Sequence, residues 1–227
     1  MKTLTGRNRW VFRLNSQART EMNLLDRVHE GYVSGRRIRR LAQLLSELIP
    51  RDCHLLDVGC GDGKLAHSLQ GQRPDLRIEG VEVRLRKQTA IPVIAFDGTT
   101  LSFGDAHFDG VMLIDVLHHT PNPRLLLREA LRVSRRWLVL KDHLREGPCA
   151  GLRLRFMDYV GNARHAVAPP YHYLSSRDWD QVRQVLDLQI AAEVRQLGLY
   201  PWPFDYVFGG RLHFLALLER SHIRPPA

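Results

Sequence analysis

Cysteine, lysine and long apolar runs are scarce in this chain of 227 residues. The three cysteines, Cys53, Cys60 and Cys149, are odd in number and form no CxxC pair, which argues against a disulfide framework and a structural zinc site. No apolar run reaches the roughly 18 residues that a membrane span requires, and the N-terminus lacks the apolar core of a secretory signal. We therefore expect a cytoplasmic protein with no membrane span.

Acidic residues are outnumbered, and the net charge is +9. Of the 33 basic residues 29 are Arg, spread along most of the chain, with local clusters only at residues 36–40 and 84–87. A basic chain suits a nucleic-acid partner, but heavy use of arginine explains the charge equally well. The first twenty residues carry five basic and no acidic residues, a pattern shared with mitochondrial transit peptides. We interpret them as a basic first segment.

Strand-like and helical segments alternate as far as residue 142. Apolar stretches predict five strands, at residues 54–58, 77–83, 92–97, 108–115 and 136–142. Helical spacing of apolar residues predicts helices that end before Pro50, begin at Lys64 and cover residues 123–134. This alternation predicts an α/β fold, a doubly wound Rossmann-like sheet that binds its ligands at the carboxyl ends of the strands.

The pattern changes after Asp142. Residues 143–176 are rich in aromatic residues, Arg, Pro and Gly and show no clean period, so we predict a substrate cap there. A helix over residues 176–186 and strand-like runs at 188–197 and 211–220 follow. The two runs predict an antiparallel strand pair at one edge of a seven-stranded, mostly parallel sheet.

We expect one domain over residues 1–227. Its predicted parts are an N-terminal helical segment (1–50), a cofactor-binding core (51–142), the cap (143–176), and a C-terminal helix with edge strands (177–227).

The stretch LDVGCGDGK, residues 56–64, reads as a glycine turn between a buried strand and a helix. It fails as a P-loop, because Val58 stands at the first glycine and Leu65 at the magnesium-binding hydroxyl. The dinucleotide fingerprint matches weakly, since Lys64 replaces its third glycine. Asp57 and Asp62 beside a helix N-terminus disfavour a pyrophosphate and favour a ligand that presents a positive charge.

This turn resembles the first motif of class I S-adenosylmethionine-dependent methyltransferases, in the form D-x-G-x-G-x-G. The order of later features is also similar to that family: an acidic residue ends the second strand (Glu82), another follows the third (Asp97), and DVLHHTPNP (115–123) follows the fourth. The resemblance covers residues 55–142, and it is to the small-molecule subgroup that includes quinone-biosynthesis enzymes.

The resemblance implies S-adenosylmethionine as cofactor, S-adenosylhomocysteine as product and no metal. It implies that the cofactor is bound by residues of the glycine turn and of the ends of the next three strands: Asp57, Gly59, Cys60, Gly61, Gly63, Glu82, Val83, Asp97, Gly98, Asp115 and Val116. Simpler interpretations exist, since Asp57 could only cap the turn and Asp97-Gly98 is an ordinary turn signal.

Candidate catalytic residues lie at the ends of the fourth and fifth predicted strands. They are His118, His119, Asp142 and His143, which could deprotonate or orient an acceptor. Polar residues of the cap could line a pocket or simply pack it onto the sheet: Tyr159, Asn162, Arg164, His165, Tyr171 and Tyr173.

The predicted function is O- or C-methylation of a small organic acceptor. The alternatives are an RNA or protein methyltransferase, disfavoured because no NPPY-like tetrapeptide follows the fourth strand, and a non-catalytic binding or scaffold protein. The sequence leaves the oligomeric state open.

Overall fold

The structure is a computed structural model that describes residues 35–162 and 172–221, without the side chains of residues 158–162. The basic first segment, most of the predicted N-terminal helical segment and three of the predicted cap residues, Arg164, His165 and Tyr171, lie outside the described residues.

The described chain alternates strands and helices up to residue 143, as the sequence predicts. The helices are α1 (Gly35–Leu48), α2 (Lys64–Gln72), α3 (Pro123–Val133), α4 (Ala150–Asn162), α5 (Ser176–Val185) and α6 (Phe204–Phe208). The strands are β1 (His54–Val58), β2 (Arg77–Glu82), β3 (Val93–Ala95), β4 (Phe108–Ile114), β5 (Ser134–His143), β6 (Leu188–Val194) and β7 (His213–Arg220).

All seven strands form one sheet in the order β3-β2-β1-β4-β5-β7-β6. The first five strands run parallel, and β7 lies antiparallel between β5 and β6. The predicted Rossmann-like fold and its antiparallel C-terminal pair are therefore confirmed. Because β7 is antiparallel to β5, its first residue, His213, pairs with the last residue of β5, His143. The start of β7 thus joins the ligand-binding edge of the sheet.

The sheet is covered on both faces, which explains why its strands read as nearly continuous apolar runs. Side chains alternate along β1, so Leu55 packs with α1 and α2 on one face, and Leu56 packs with α3 and α5 on the other. Local signals start the covering helices. Asn122 accepts a hydrogen bond from the Leu125 amide before α3, and Ser175 with Asp178 forms a capping box on α5.

The predicted cap contains a helix that the sequence did not indicate. Residues 150–162 form α4, yet its apolar side chains form no single stripe, since Leu154 is buried while Leu152 and Phe156 are exposed. The missing 3.6-residue period is why sequence reasoning found no helix here. At the other edge, β3 is three residues long, shorter than the predicted strand over 92–97.

Gly110 on β4 tests how tightly the sheet faces pack. It lies opposite the buried Trp137 of β5, and a Cβ atom at residue 110 would lie 2.2 Å from the indole ring. We expect Gly110→Ala to lower the free energy of unfolding by about 1–3 kcal/mol, because the ring cannot move aside in a filled core. Urea unfolding measures this change.

Gly71→Ala is the matched control. Gly71 lies in α2, and a Cβ atom there would meet no atom within 4 Å. Alanine should leave stability unchanged or raise it by about 0.5–1 kcal/mol. Equal effects of the two substitutions would contradict the packing argument.

Candidate active site

The glycine turn joins β1 to α2 with its backbone in the left-handed region. Gly59, Gly61 and Gly63 have φ of 71°, 60° and 74°, values that L side chains rarely adopt. Two of the three also lack room, since a Cβ atom would lie 2.6 Å from Val116 Cγ2 at Gly59 and 2.6 Å from Ile91 Cγ1 at Gly63. Gly61 instead faces open space, since a Cβ atom there would meet no atom within 4 Å, so its backbone is the part of the turn that a ligand can approach closely. Val116 packs against the turn at Gly59 from the end of β4.

Glu82, the last residue of β2, holds this turn in place. Its Oε2 accepts a hydrogen bond of 2.8 Å from the Gly61 amide, and the Gly59 amide donates to the Val81 carbonyl at 2.8 Å. Cys60 lies between them, with its Sγ against Gly80. Burial raises the pKa of the Cys60 thiol, so it stays protonated and serves as packing.

Asp57 is the unusual charge at the turn. Its residue is 3% exposed, and no described residue donates a hydrogen bond to its carboxylate. Burial, and then the negative charge of Glu82, raise the pKa of Asp57 to about 7. By contrast, Asp62 pairs with Lys64 at 2.7 Å in a more exposed position. Of the two carboxylates that the sequence singles out, only Asp57 has no hydrogen-bond or ion-pair partner among the described residues.

Val83 and Gly98 form a wall next to Glu82. A Cβ atom at Gly98 would lie 3.5 Å from Val83 Cγ2, and Val83 is half exposed. Asp97 is exposed, and its Oδ1 accepts hydrogen bonds of 2.7 Å from the Thr99 and Thr100 amides. These amide bonds lower the pKa of Asp97. In the structure, Asp97 therefore stabilises the turn that follows β3.

Asp115, directly after β4, is surrounded by cations. It has a left-handed backbone, with φ of 57°, and its carboxylate pairs with Lys141 of β5 and with Arg37 of α1. Burial alone would raise the pKa of Asp115, but these two cations lower it well below its usual range. Lys141 is fully buried, and burial lowers its pKa against the opposing effect of Asp115.

Next to this ion pair lies a buried carboxylate–imidazole pair. Asp142 Oδ1 is 2.5 Å from His118 Nδ1, and both residues are at most 2% exposed. The Leu117 and His143 amides also donate to the Asp142 carboxylate, at 3.1 Å and 2.7 Å. Burial raises the pKa of Asp142, yet the charge and hydrogen bond of His118 lower it overall. An ionised Asp142 accepts a hydrogen bond from the Nδ1–H group of His118, and in this tautomer Nε2 is the basic nitrogen.

His143 and His213 form a second, neutral pair. Burial and the charge of Lys141 hold the pKa of both imidazoles well below the usual range. His213 Nε2 donates to the Phe208 carbonyl at 2.9 Å, so its Nδ1 is the acceptor, and this atom lies 3.3 Å from Lys141 Nζ and 3.1 Å from His143 Nδ1. His143 is therefore fixed as a neutral imidazole beside Asp115.

Two aromatic rings pack on His118. The His119 ring centroid lies 3.9 Å away, and the Tyr173 centroid lies 5.9 Å from His118 and 5.9 Å from His143. The structure thus brings all four candidate catalytic residues together, and it adds Tyr173 from the cap.

Sequence reasoning missed Arg37, Lys141 and His213 as members of this cluster. Lys141 and His213 each interrupt an apolar strand run, RWLVLKD and RLHFLALLER, and an isolated polar residue in a buried strand was the available signal. Arg37 carries no such signal, because it is one of four arginines in RRIRR.

Two features are absent from residues 35–162 and 172–221. In that part of the chain, no group of three or more His, Cys, Asp or Glu side chains is arranged to hold a metal ion. None of the helices described there combines the length and the apolar character that crossing a membrane requires.

A doubly wound sheet with a glycine turn between β1 and α2 and an acidic end to β2 defines a nucleoside-binding α/β protein. The chain matches the model of a methyltransferase domain family over residues 30–193, well over half of its length. It belongs to that family, and the resemblance to class I S-adenosylmethionine-dependent methyltransferases is confirmed.

Individual relatives agree with this assignment. The chain is 30% identical over 147 residues to O-methyltransferase cnsE of Penicillium expansum, covering 54% of this chain and 53% of the relative. It is 31% identical over 130 residues to 27-O-demethylrifamycin SV methyltransferase of Amycolatopsis mediterranei, covering 50% and 47%. The chain thus spans about half the length of the curated relatives it matches.

A solved S-adenosylmethionine-dependent methyltransferase from Thermotoga maritima superposes with a TM-score of 0.62. The match covers 85% of this chain and 94% of that one, at 16% identity. At this identity the likeness shows a shared fold.

Asp57→Asn should change how stability depends on pH. The pKa of Asp57 is higher in the folded chain than in the unfolded one, so its burial becomes progressively unfavourable as the pH rises from about 4 to 7. The neutral amide removes this cost. The substitution should therefore stabilise the folded chain more at pH 8 than at pH 5. We expect the difference in free energy of unfolding between variant and wild type to be about 2–3 kcal/mol larger at pH 8. Urea unfolding of the ligand-free protein at both pH values gives the difference.

Asp62→Asn serves as the comparison, because Asp62 pairs with Lys64 and its pKa lies below the usual value. Both states of the chain are ionised there throughout this pH range, so its effect should not vary. If the effect of Asp57→Asn on stability also does not vary with pH, the pKa of Asp57 is not raised in the folded chain.

Proposed function

We propose that this protein is an S-adenosylmethionine-dependent methyltransferase that methylates a hydroxyl oxygen of a small organic acceptor. The observation that carries the proposal is the buried hydrogen bond between His118 and Asp142, at the same sheet edge as the glycine turn. A hydroxyl acceptor must lose its proton when its oxygen is methylated. A histidine held by a carboxylate can act as the general base that takes this proton.

The residues of the turn fit the cofactor on two observations. The backbone at Gly61 faces open space, since a Cβ atom there would meet no atom within 4 Å, and a ligand can approach it closely. The buried carboxylate of Asp57 has no donor from the described protein, and an ammonium-bearing ligand would supply one. Glu82, at the end of β2, would accept hydrogen bonds from the ribose hydroxyls, and Val83 and Gly98, which lie next to each other, would flank the base.

S-adenosylmethionine supplies, when bound, a methyl group already activated by its sulfonium. The protein's own task is then mainly positioning, so that the acceptor oxygen is held in line at close range. His118 Nε2 takes the hydroxyl proton, while Asp142 keeps the opposite nitrogen protonated and stabilises the imidazolium that forms. His143 is a poorer base, because burial and Lys141 hold its pKa far below the usual value.

The relatives' names support the choice of oxygen and of a small acceptor. One is an O-methyltransferase, and another is named for acting on 27-O-demethylrifamycin SV. RNA or protein methylation stays the alternative. Tight, salt-sensitive RNA binding without methylation of any small acceptor would favour it.

Glu82→Gln tests the cofactor assignment. Loss of the carboxylate charge weakens hydrogen bonds from ribose hydroxyls, so we expect affinity for S-adenosylmethionine to fall about tenfold or more. Isothermal calorimetry measures the affinity. Glu47→Gln on the exposed face of α1 is the control and should bind like the wild type. Unchanged binding by Glu82→Gln would remove Glu82 from the cofactor site.

His118→Asn and Asp142→Asn test the base. We expect each to lower kcat about 10²- to 10⁴-fold, the usual contribution of a general base, with S-adenosylmethionine affinity unchanged. Turnover is followed as release of S-adenosylhomocysteine with the best acceptor found among a panel of phenols and alcohols. His67→Asn, an exposed position on α2, should behave like the wild type. A His118→Asn variant with full kcat would rule out the dyad as the base.

A further inference from the structure

A cavity of about 440 Å³ opens next to Tyr173, the ring that stacks on His118. Its size is in the range of pockets that hold small organic ligands. Arg145 and Arg155 lie on its wall, with Leu152 and Leu174 as apolar lining, and His172 and Tyr173 complete one side. The described residues that line it include no Asp or Glu.

Neither arginine forms an ion pair with a carboxylate among the described residues, although the charge of Arg145 helps to lower the pKa of Asp178. Some arginines elsewhere are neutralised, as where Arg73 pairs with Asp75 and Arg132 with Glu129. Arg145 and Arg155 are distinguished because they share one concave wall. Two guanidinium groups that share one cavity, with no acidic residue among its described lining, form a site for an anion.

The cavity is connected to the dyad by a short segment of chain, residues 172–174. The His172 amide donates to the His118 carbonyl at 2.8 Å, and the Arg145 amide donates to the Leu174 carbonyl at 3.0 Å. Between these two bonds, Tyr173 stacks on His118 and also lines the cavity. The arginine wall and the proposed base are therefore held on opposite ends of one segment.

We propose that this cavity is the acceptor subsite and that the acceptor is an organic anion. On this reading, which rests on the proposed function, Arg145 and Arg155 bind a carboxylate or a similar anionic group. The apolar body lies against Leu152 and Leu174, and the hydroxyl to be methylated points toward His118. The arginines thereby select the charge of the substrate, and the dyad acts on its other end.

A fluorescence titration with a matched pair of probes tests the anion site. The probes are 6-hydroxy-2-naphthoate and its neutral carboxamide, which differ by the anionic group. We expect the wild-type chain to bind the acid at least about tenfold more tightly than the amide. In the double variant Arg145→Gln/Arg155→Gln this preference should disappear, through loss of affinity for the acid only.

Arg128→Gln on α3 is the control for overall charge, since it is exposed and lies outside the cavity lining. It should keep the tenfold preference. The double variant should also keep the wild-type urea midpoint and affinity for S-adenosylmethionine, because both arginines are exposed.

Equal affinity for acid and amide, including no measurable binding of either, would overturn the proposal. A preference that survives in the double variant, or one that Arg128→Gln abolishes as well, would overturn it too. The titration uses neither cofactor nor turnover. Its failure therefore leaves the dyad mechanism standing, and a failure of the His118 test leaves the anion site standing.

Discussion

The ion pair between Asp115 and Lys141 is the contact on which the carboxyl edge of this sheet depends. It joins the end of β4 to β5, and Arg37 of α1 and His213 of β7 add to it. Removing Asp115 would leave the fully buried charge of Lys141 without this carboxylate, which is strongly unfavourable. Because the pair fixes the ends of both strands, it also fixes His118 after β4 and Asp142 on β5, two residues that must meet within hydrogen-bond distance.

Asp57 and Asp115 show how one sheet edge can hold two buried carboxylates with opposite behaviour. Protein cations stabilise the ionised form of Asp115, so it is a structural charge. Asp57 has no described partner, and its pKa is raised to about 7, so it gains most from a cationic ligand. Environments that move two pKa values apart are a sign of divided roles. The carboxylate that lacks a protein partner is the one proposed to meet the cofactor.

Much of the fold and of the cofactor half of the site could be predicted from the sequence. Strand positions, the glycine turn and Glu82 are local features, because each is encoded by a few adjacent residues with a distinct period or turn requirement. The helix α4 could not be predicted, since its apolar residues follow no stripe. The cluster of Lys141 and His213 could not either, because it depends on β7 inserting beside β5, a pairing across 72 residues.

The sequence by itself determined that a glycine turn follows a buried strand, and that acidic residues end the next strands in methyltransferase order. The turn could be recognised in the sequence because the left-handed φ that glycine permits is a local property. Its resemblance to the first methyltransferase motif then implied the cofactor. Only the tertiary structure decided which histidine has a carboxylate behind it, which carboxylate lacks a partner, and that Arg145 and Arg155 share a cavity with Tyr173. Those are relations between distant segments, and burial and electrostatic fields arise only once the chain has brought them together.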